Sequence, residues 1–112
     1  MRLGFALPQH GSAATPDGII TVAKQAEKTG FDSLWVWERL QAPVKPKAPY
    51  PLGEGTHPLA FRSALDALDV LSFVAGHTAC STPGANVLNL RWYNPALLAL
   101  AGSDRAGERV LL

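Results

Sequence analysis

Apolar positions along the chain follow two rhythms that alternate. Arg2 to Leu7 is an apolar run with Gly4 inside it, closed by Pro8. Such a run reads as a parallel strand covered on both faces. After the loop Gln9-His10-Gly11-Ser12, the triplet Thr15-Pro16-Asp17 marks a helix start, with a hydroxyl N-cap, proline at N1 and an acid in the first turn. Ile19, Val22, Ala23 and Ala26 then recur on one helical face, with Lys24, Glu27 and Lys28 outside and Gly30 as the stop. Phe31 to Arg39 returns to the strand rhythm and delivers Glu38 and Arg39 at its C-terminal end.

Leu40 to His57 is a long connection holding Pro43, Pro46, Pro49 and Pro51. A connection of that length is a functional lid or a solvated linker. Thr56-His57-Pro58 predicts the start of a second helix, in which Phe61, Ala64, Leu65, Leu68 and Leu71 share a face, Arg62 and Asp66 pair at i,i+4, and Gly76 is the stop. Pro83 cannot donate to a central ladder, so the third strand is expected only from near Ala85. Arg91-Trp92-Tyr93 reads as a loop, and Asn94-Pro95 caps a third helix that Gly102 ends early. Arg109-Val110-Leu111-Leu112 reads as the beginning of a fourth strand. The order β-α-β-α-β-α-β implies a parallel sheet, open or part of a barrel. The first loop lacks the glycine pattern of a dinucleotide-binding turn, and no P-loop is present.

Composition narrows the class. A chain of 112 residues makes one domain at most. The net charge of +1 is dispersed, with no basic run to meet nucleic acid. No apolar stretch approaches the roughly 20 residues that span a bilayer, and the N-terminus reads as a strand rather than a signal peptide. One cysteine, Cys80, excludes an internal disulfide and suits a reducing cytoplasm. Without a second ligand at metal spacing, the three histidines do not make a zinc site.

Several stretches together resemble luciferase-like monooxygenases and F420-dependent oxidoreductases. They are Arg2-Leu3-Gly4-Phe5 ending in Leu7-Pro8; Ala26-Glu27-Lys28-Thr29-Gly30-Phe31-Asp32-Ser33-Leu34-Trp35-Val36; His57-Pro58-Leu59; Asn86-Val87-Leu88 with Asn94-Pro95-Ala96-Leu97-Leu98-Ala99; and Gly107-Glu108-Arg109-Val110. The resemblance implies an α/β fold, part of a TIM (β/α)8 barrel, with reduced FMN or coenzyme F420 at the C-terminal ends of the strands. A full barrel needs about 250 residues, so residues 1–112 are expected to be a single truncated domain, the first three βα units and the start of strand four. The pattern departs from the family's at Cys80-Ser81-Thr82-Pro83-Gly84-Ala85 and in a short third helix.

The resemblance also orders the candidate chemistry. Glu38 and Arg39 stand where many relatives carry an acid followed by histidine. Arg39 could hold a phosphate, a carboxylate or the charge of a reduced flavin, or simply end the strand in a salt bridge. Its guanidinium, with a pKa above about 12, is no proton donor. His10, in the loop after strand one, has the titration range for proton traffic or is a plain surface histidine. Trp35 and Trp37 share a strand face by the period of two, Trp35 reading as core packing and Trp37 as the wall of a cofactor pocket. Asn86-Val87-Leu88 is where the family places a bulge with a non-prolyl cis peptide behind the flavin; that strain needs a well-packed surround and is not expected to survive in a fragment. Asn89 lies just beyond it.

The catalytic candidates are therefore Arg39, Glu38 and His10, and the cofactor-binding candidates Trp37, Asn86, Val87 and Asn89. The expected activity is hydride transfer with F420, or FMN-dependent oxygenation, on a small organic substrate. Two alternatives remain open: a non-catalytic partial barrel whose open edges drive association into a homo-oligomer, and an unrelated open-sheet domain.

Overall fold

The computed structural model describes residues 1–51 and 55–105. Three short strands form one parallel sheet in chain order, β1 (Gly4–Ala6), β2 (Ser33–Trp37) and β3 (Thr82–Val87). The connections are α1 (Pro16–Lys28) and α2 (Ala67–Ala75), and α3 (Pro95–Arg105) follows β3. The fourth strand expected at Arg109–Leu112 lies outside the described residues.

Alternation along β2 decides how the layers stack. Leu34 and Val36 are fully buried and join Leu7, Ile19, Ala23, Leu71 and Val74 in one core between the sheet and α1 and α2. Fully burying a side chain of this size contributes about 1.5–3 kcal/mol. Leu98 of α3 packs against the same cluster. The helices thus cover one face, whereas a doubly wound sheet has helices on both and a strand order that reverses. Sequential strands with one-sided helices are the arrangement of successive units in a (β/α)8 barrel.

Trp35 and Trp37 point to the other face. The Trp35 indole lies across two glycines: a Cβ would come within 2.5 Å of it at Gly4 and 3.0 Å at Gly84. Its Nε1 donates to Ser33 Oγ at 2.8 Å. Trp35 is half-buried on this glycine shelf, not part of the helix-side core, because the strand period places it opposite Leu34 and Val36.

The start of α1 follows the sequence: Thr15 Oγ1 accepts from Gly18 N at 3.1 Å, with Pro16 at N1 and Asp17 in the first turn. Gly30 adopts φ +90°, a left-handed geometry that glycine takes without strain. Glu27 is not the plain surface residue its spacing predicts. Its carboxylate reaches past the end of α1 and accepts from the backbone N–H groups of Ala79, Cys80 and Ser81, tying α1 to the approach to β3.

Three boundaries differ from expectation. The second helix begins at Ala67, not at Thr56-His57-Pro58; Leu59–Arg62 is a separate 3₁₀ turn, and Asp66 Oδ1 caps α2 by accepting from Asp69 N at 3.0 Å. Arg62 and Asp66 therefore do not share a helix face, and the apolar periodicity runs through a break that only the cap reveals. The third strand begins at Thr82 and includes Pro83 and Gly84. Thr82 N donates to Asp32 O at 3.0 Å, and alternation turns the nitrogen of Pro83 away from β2, toward the side where no strand pairs among the described residues, so no ladder bond is lost. The third helix passes through Gly102 to Arg105 instead of ending there.

Candidate functional site

The β1 exit is held by a buried glutamine. Leu7 N donates to Trp35 O at 2.9 Å, and the Gln9 carboxamide extends the ladder beyond the strand. Gln9 Oε1 accepts from Trp37 N at 2.7 Å, and its Nε2 donates to Trp37 O at 2.7 Å and, at 3.4 Å, to Leu65 O. One side chain thus stands in for a peptide unit. Gln9 is fully buried, and its three side-chain hydrogen bonds all go to neighbouring backbone.

The backbone around Gln9 fixes the next residue. Leu65 N donates to Gln9 O at 3.0 Å, Gly11 N donates to Ser63 O at 2.9 Å, and His10 and Ala64 form an antiparallel bridge. This sets His10 beside Phe61. The His10 ring centroid lies 4.7 Å from that of Trp37 and 5.6 Å from that of Phe61. Arg39 lays its guanidinium over the Phe61 ring, 4.4 Å from its centroid. Tyr50, from the proline-rich connection, packs 5.9 Å from Phe61 and 5.0 Å from His57. Gly55, at φ +79°, closes that connection's turn by accepting from Tyr50 N at 2.7 Å.

The cluster holds several unpaired polar atoms. Both His10 ring nitrogens, Arg39 Nε and His57 Nδ1 are buried and without a hydrogen-bond partner among the described residues. Leaving such a group unpaired costs about 1–3 kcal/mol, so this cluster is polar ground that water or a ligand would satisfy. Burial, and after it the charge of Arg39, lowers the His10 pKa below its ordinary 6.5. His10 is thus neutral at pH 7, with one ring nitrogen able to accept a proton.

Glu38 is used differently. It accepts from Asn89 N at 2.6 Å and from the Tyr93 hydroxyl, so it fastens β2 to the segment after β3 rather than to Arg39. Burial first, and the bond to Glu38 second, push the Tyr93 phenol well above its ordinary range. Opposite it, Glu38 N donates to Val87 O at 2.9 Å. Val36 pairs with Ala85 and Trp37 with Val87, which leaves Asn86 as the extra residue of a bulge. Among the described residues every peptide bond is trans. Asn94 caps α3, its Oδ1 accepting from Ala96 N at 2.9 Å.

All seven candidates accordingly gather at the C-terminal ends of the three strands. His10, Trp37 and Arg39 meet in the aromatic cluster; Glu38 and Asn89 are hydrogen-bonded; Asn86 and Val87 form the bulge beside Trp37. Clefts of about 200 Å³ and 360 Å³ open at this end, both lined by Glu38, Arg39 and Leu40. A larger cavity of about 690 Å³ opens at the opposite end of the strands, among Arg2, Asp32, Ser33, Trp35 and Thr82. In parallel α/β folds that end carries stability rather than chemistry.

Sequence reasoning missed Gln9, Phe61 and Tyr50. The spacing of Phe61 puts it in the core stripe of a longer helix, and nothing in the sequence marks Gln9 as buried. Of the other histidines, His57 precedes the 3₁₀ turn instead of starting a helix, and His77 sits at the α2 C-terminus, its Nδ1 2.7 Å from Phe73 O. No group of three metal-ligating side chains exists among the described residues, and no helix there is long and apolar enough to cross a membrane.

Comparison with known proteins agrees with this geometry. No curated protein matches the sequence. The fold is similar to that of a solved F420-dependent secondary alcohol dehydrogenase in complex with an F420-acetone adduct, at a TM-score of 0.68 and 22% identity, over 97% of this chain and 29% of that one. The chain thus spans under a third of that enzyme's length. The family model of luciferase-like monooxygenases matches residues 1–102, and the chain belongs to that family.

Proposed function

We propose that these residues form the cofactor-facing first part of a luciferase-like oxidoreductase acting on a small organic substrate. The observation that carries this reading is the convergence of the Asn86 bulge, Trp37, Arg39 and His10 at one end of a parallel sheet. The three βα units read as the opening of a (β/α)8 barrel within one domain, completed when the remaining units are present, whichever chain carries them. The cofactor is F420 or FMN, with F420 put first because the solved dehydrogenase of similar fold uses it.

The residues suit a flat, electron-accepting ring. The bulge turns backbone at Asn86 out of the ladder, Trp37 offers an aromatic edge, and the buried unpaired nitrogens of His10 and Arg39 suit a polar ligand. When bound, such a group supplies or accepts a hydride. Arg39 would hold a fixed positive charge near the reacting atoms and cannot exchange its proton. His10, neutral at pH 7, would take a proton at a ring nitrogen from a substrate hydroxyl, or return it. Glu38 would position the Asn89 segment through its hydrogen bonds.

The face carrying Trp35 and the edges of β1 and β3, unpaired among the described residues, favour a second reading, self-association as a homo-oligomer, which light scattering tests.

The direct test titrates the folded chain with F420 and with FMN, oxidised and reduced, following tryptophan fluorescence. Saturable quenching by one of them, weakened in Trp37→Phe, is expected. No quenching by either from folded protein overturns the proposal for this chain.

A further inference from the structure

Between Arg39 and Tyr50 the chain is anchored at both ends and stands clear of the core in between. Arg39 lies on the Phe61 ring, and Tyr50 packs against Phe61 and His57. Pro43 to Pro49 are all exposed. Val44 is 90% exposed, the highest value for a large apolar side chain after the N-terminal Met1. Residues 40–51 hold Lys45 and Lys47 and no acidic side chain. Pro43, Pro46 and Pro49 recur at every third position, and each fixes its own φ, so this arm has little backbone freedom to lose on docking. The chain also carries a groove of the opposite character. Between α1 and α2 a slot of about 190 Å³ has a floor of Ile19, Leu65, Val70 and Phe73 and a rim of Asp66 and Asp69. Leu65 and Phe73 are each 37% exposed. Among the described residues no basic side chain lines the slot. Asp66 caps α2 through Asp69 N, which sets both carboxylates at the start of that helix.

We propose that the Val44 arm of one copy docks in the α1–α2 groove of a second copy, and that exchange in both directions makes a two-fold dimer. Val44 enters the slot, and Lys45 and Lys47 meet Asp66 and Asp69. A second copy is the occupant because this chain carries both complementary halves, an apolar side chain for an apolar floor and two cations for two carboxylates. Within one copy the halves do not meet, since Val44 is exposed and is not among the residues that line the slot. A proline-stiffened segment laid in an apolar groove is a recurring mode of recognition, favoured because little order has to be imposed on it. Reciprocal exchange closes the pair and makes the contact twice. The contact uses neither the sheet edges nor any of the cofactor candidates, so it goes beyond the oxidoreductase reading and does not rest on it.

Sedimentation velocity of the full chain over a range of concentrations tests the proposal. A monomer–dimer equilibrium is expected, weakening as salt is raised because exposed charge pairs are screened. The double variant Lys45→Glu/Lys47→Glu and, separately, Asp69→Lys should each weaken the dimer at least about tenfold, since like charges then face each other across the contact. Mixing these two variants should give a dimer tighter than either forms alone. One of its contacts is then the parental one, and in the other the acidic arm meets the new lysine. Val44→Ser, a change at an exposed position of the arm, should weaken the dimer several-fold and serves if the Asp69 variant does not fold. The Phe73 ring resonances should shift on dilution of the parent and stay fixed on dilution of the arm variants. A monomer at every concentration overturns the proposal. So does an oligomer that the arm and groove variants leave unchanged, which would place association at the β1 and β3 edges, and so does the absence of any gain on mixing.

Discussion

Replacing Gln9 by leucine tests whether the β1–β2 junction rests on a side-chain amide. Leucine nearly conserves the volume, so little cavity forms, and the change removes chiefly the polar pairing. Two short bonds are lost, both of 2.7 Å and both to Trp37 backbone, together with a long one of 3.4 Å to Leu65 O. Gln9 is 0% exposed, so water does not replace these bonds without opening the site. Each unpaired backbone group costs about 1–3 kcal/mol, so the two short bonds put the expected loss at about 2–6 kcal/mol in urea unfolding. A loss of that size is a large fraction of a small domain's stability. Gln9→Glu keeps the acceptor for Trp37 N–H but sets an oxygen against Trp37 O. Its buried carboxyl, with a raised pKa, makes that variant least unstable at acid pH, where it is protonated and can donate. Hydrogen exchange gives the local readout: Trp37 N–H should lose protection in Gln9→Leu before the rest of β2. If Gln9→Leu unfolds within about 0.5 kcal/mol of the parent, the range of an ordinary surface substitution, and Trp37 N–H stays protected, the account of this junction is wrong.

Glu27→Gln should destabilise the chain by about 1–2 kcal/mol, at the low end for charge-assisted bonds because Glu27 is only half-buried; a thermal melt reads it, and an unchanged midpoint would show that the Ala79–Ser81 amides find water instead. Stability should also fall as pH drops through 6.5 toward the lower folded-state pKa of His10, because the unfolded chain takes up that proton first. Above 6.5 the contribution is complete, and urea midpoints of His10→Phe should show a shallower slope in that window; an identical slope would mean that His10 is not the group titrating.

The local signals that the sequence carries are short-range ones, and they hold wherever the physics is local. Thr15-Pro16-Asp17 starts α1 and Asn94 caps α3, because a cap needs only a side chain and the next turn. Leu34 and Val36 alternate with Trp35 and Trp37 because a strand has a period of two, so the two faces of β2 are legible in the residue order alone. The family resemblance puts Asn86 at a bulge, and the ladder bears this out. The readings that fail are those in which a distant partner decides. Phe61 keeps the spacing of a helix face, yet Asp66 caps a helix that starts only at Ala67, and Phe61 is left to pack against His10 and Arg39. Pro83 is barred from a central strand by its missing donor, and only its place on the far side of the β2 pairing makes it acceptable. Glu27 has the pattern of a solvated residue, and the chain before β3 comes back 52 residues later to meet it. Gln9 is the clearest case. A glutamine after Leu7-Pro8 carries no mark of burial, and its role exists only because β2 and the approach to α2 arrive on either side of it with backbone groups to satisfy. Hydrogen-bond demand of that kind belongs to the assembled backbone, which no single stretch of sequence contains.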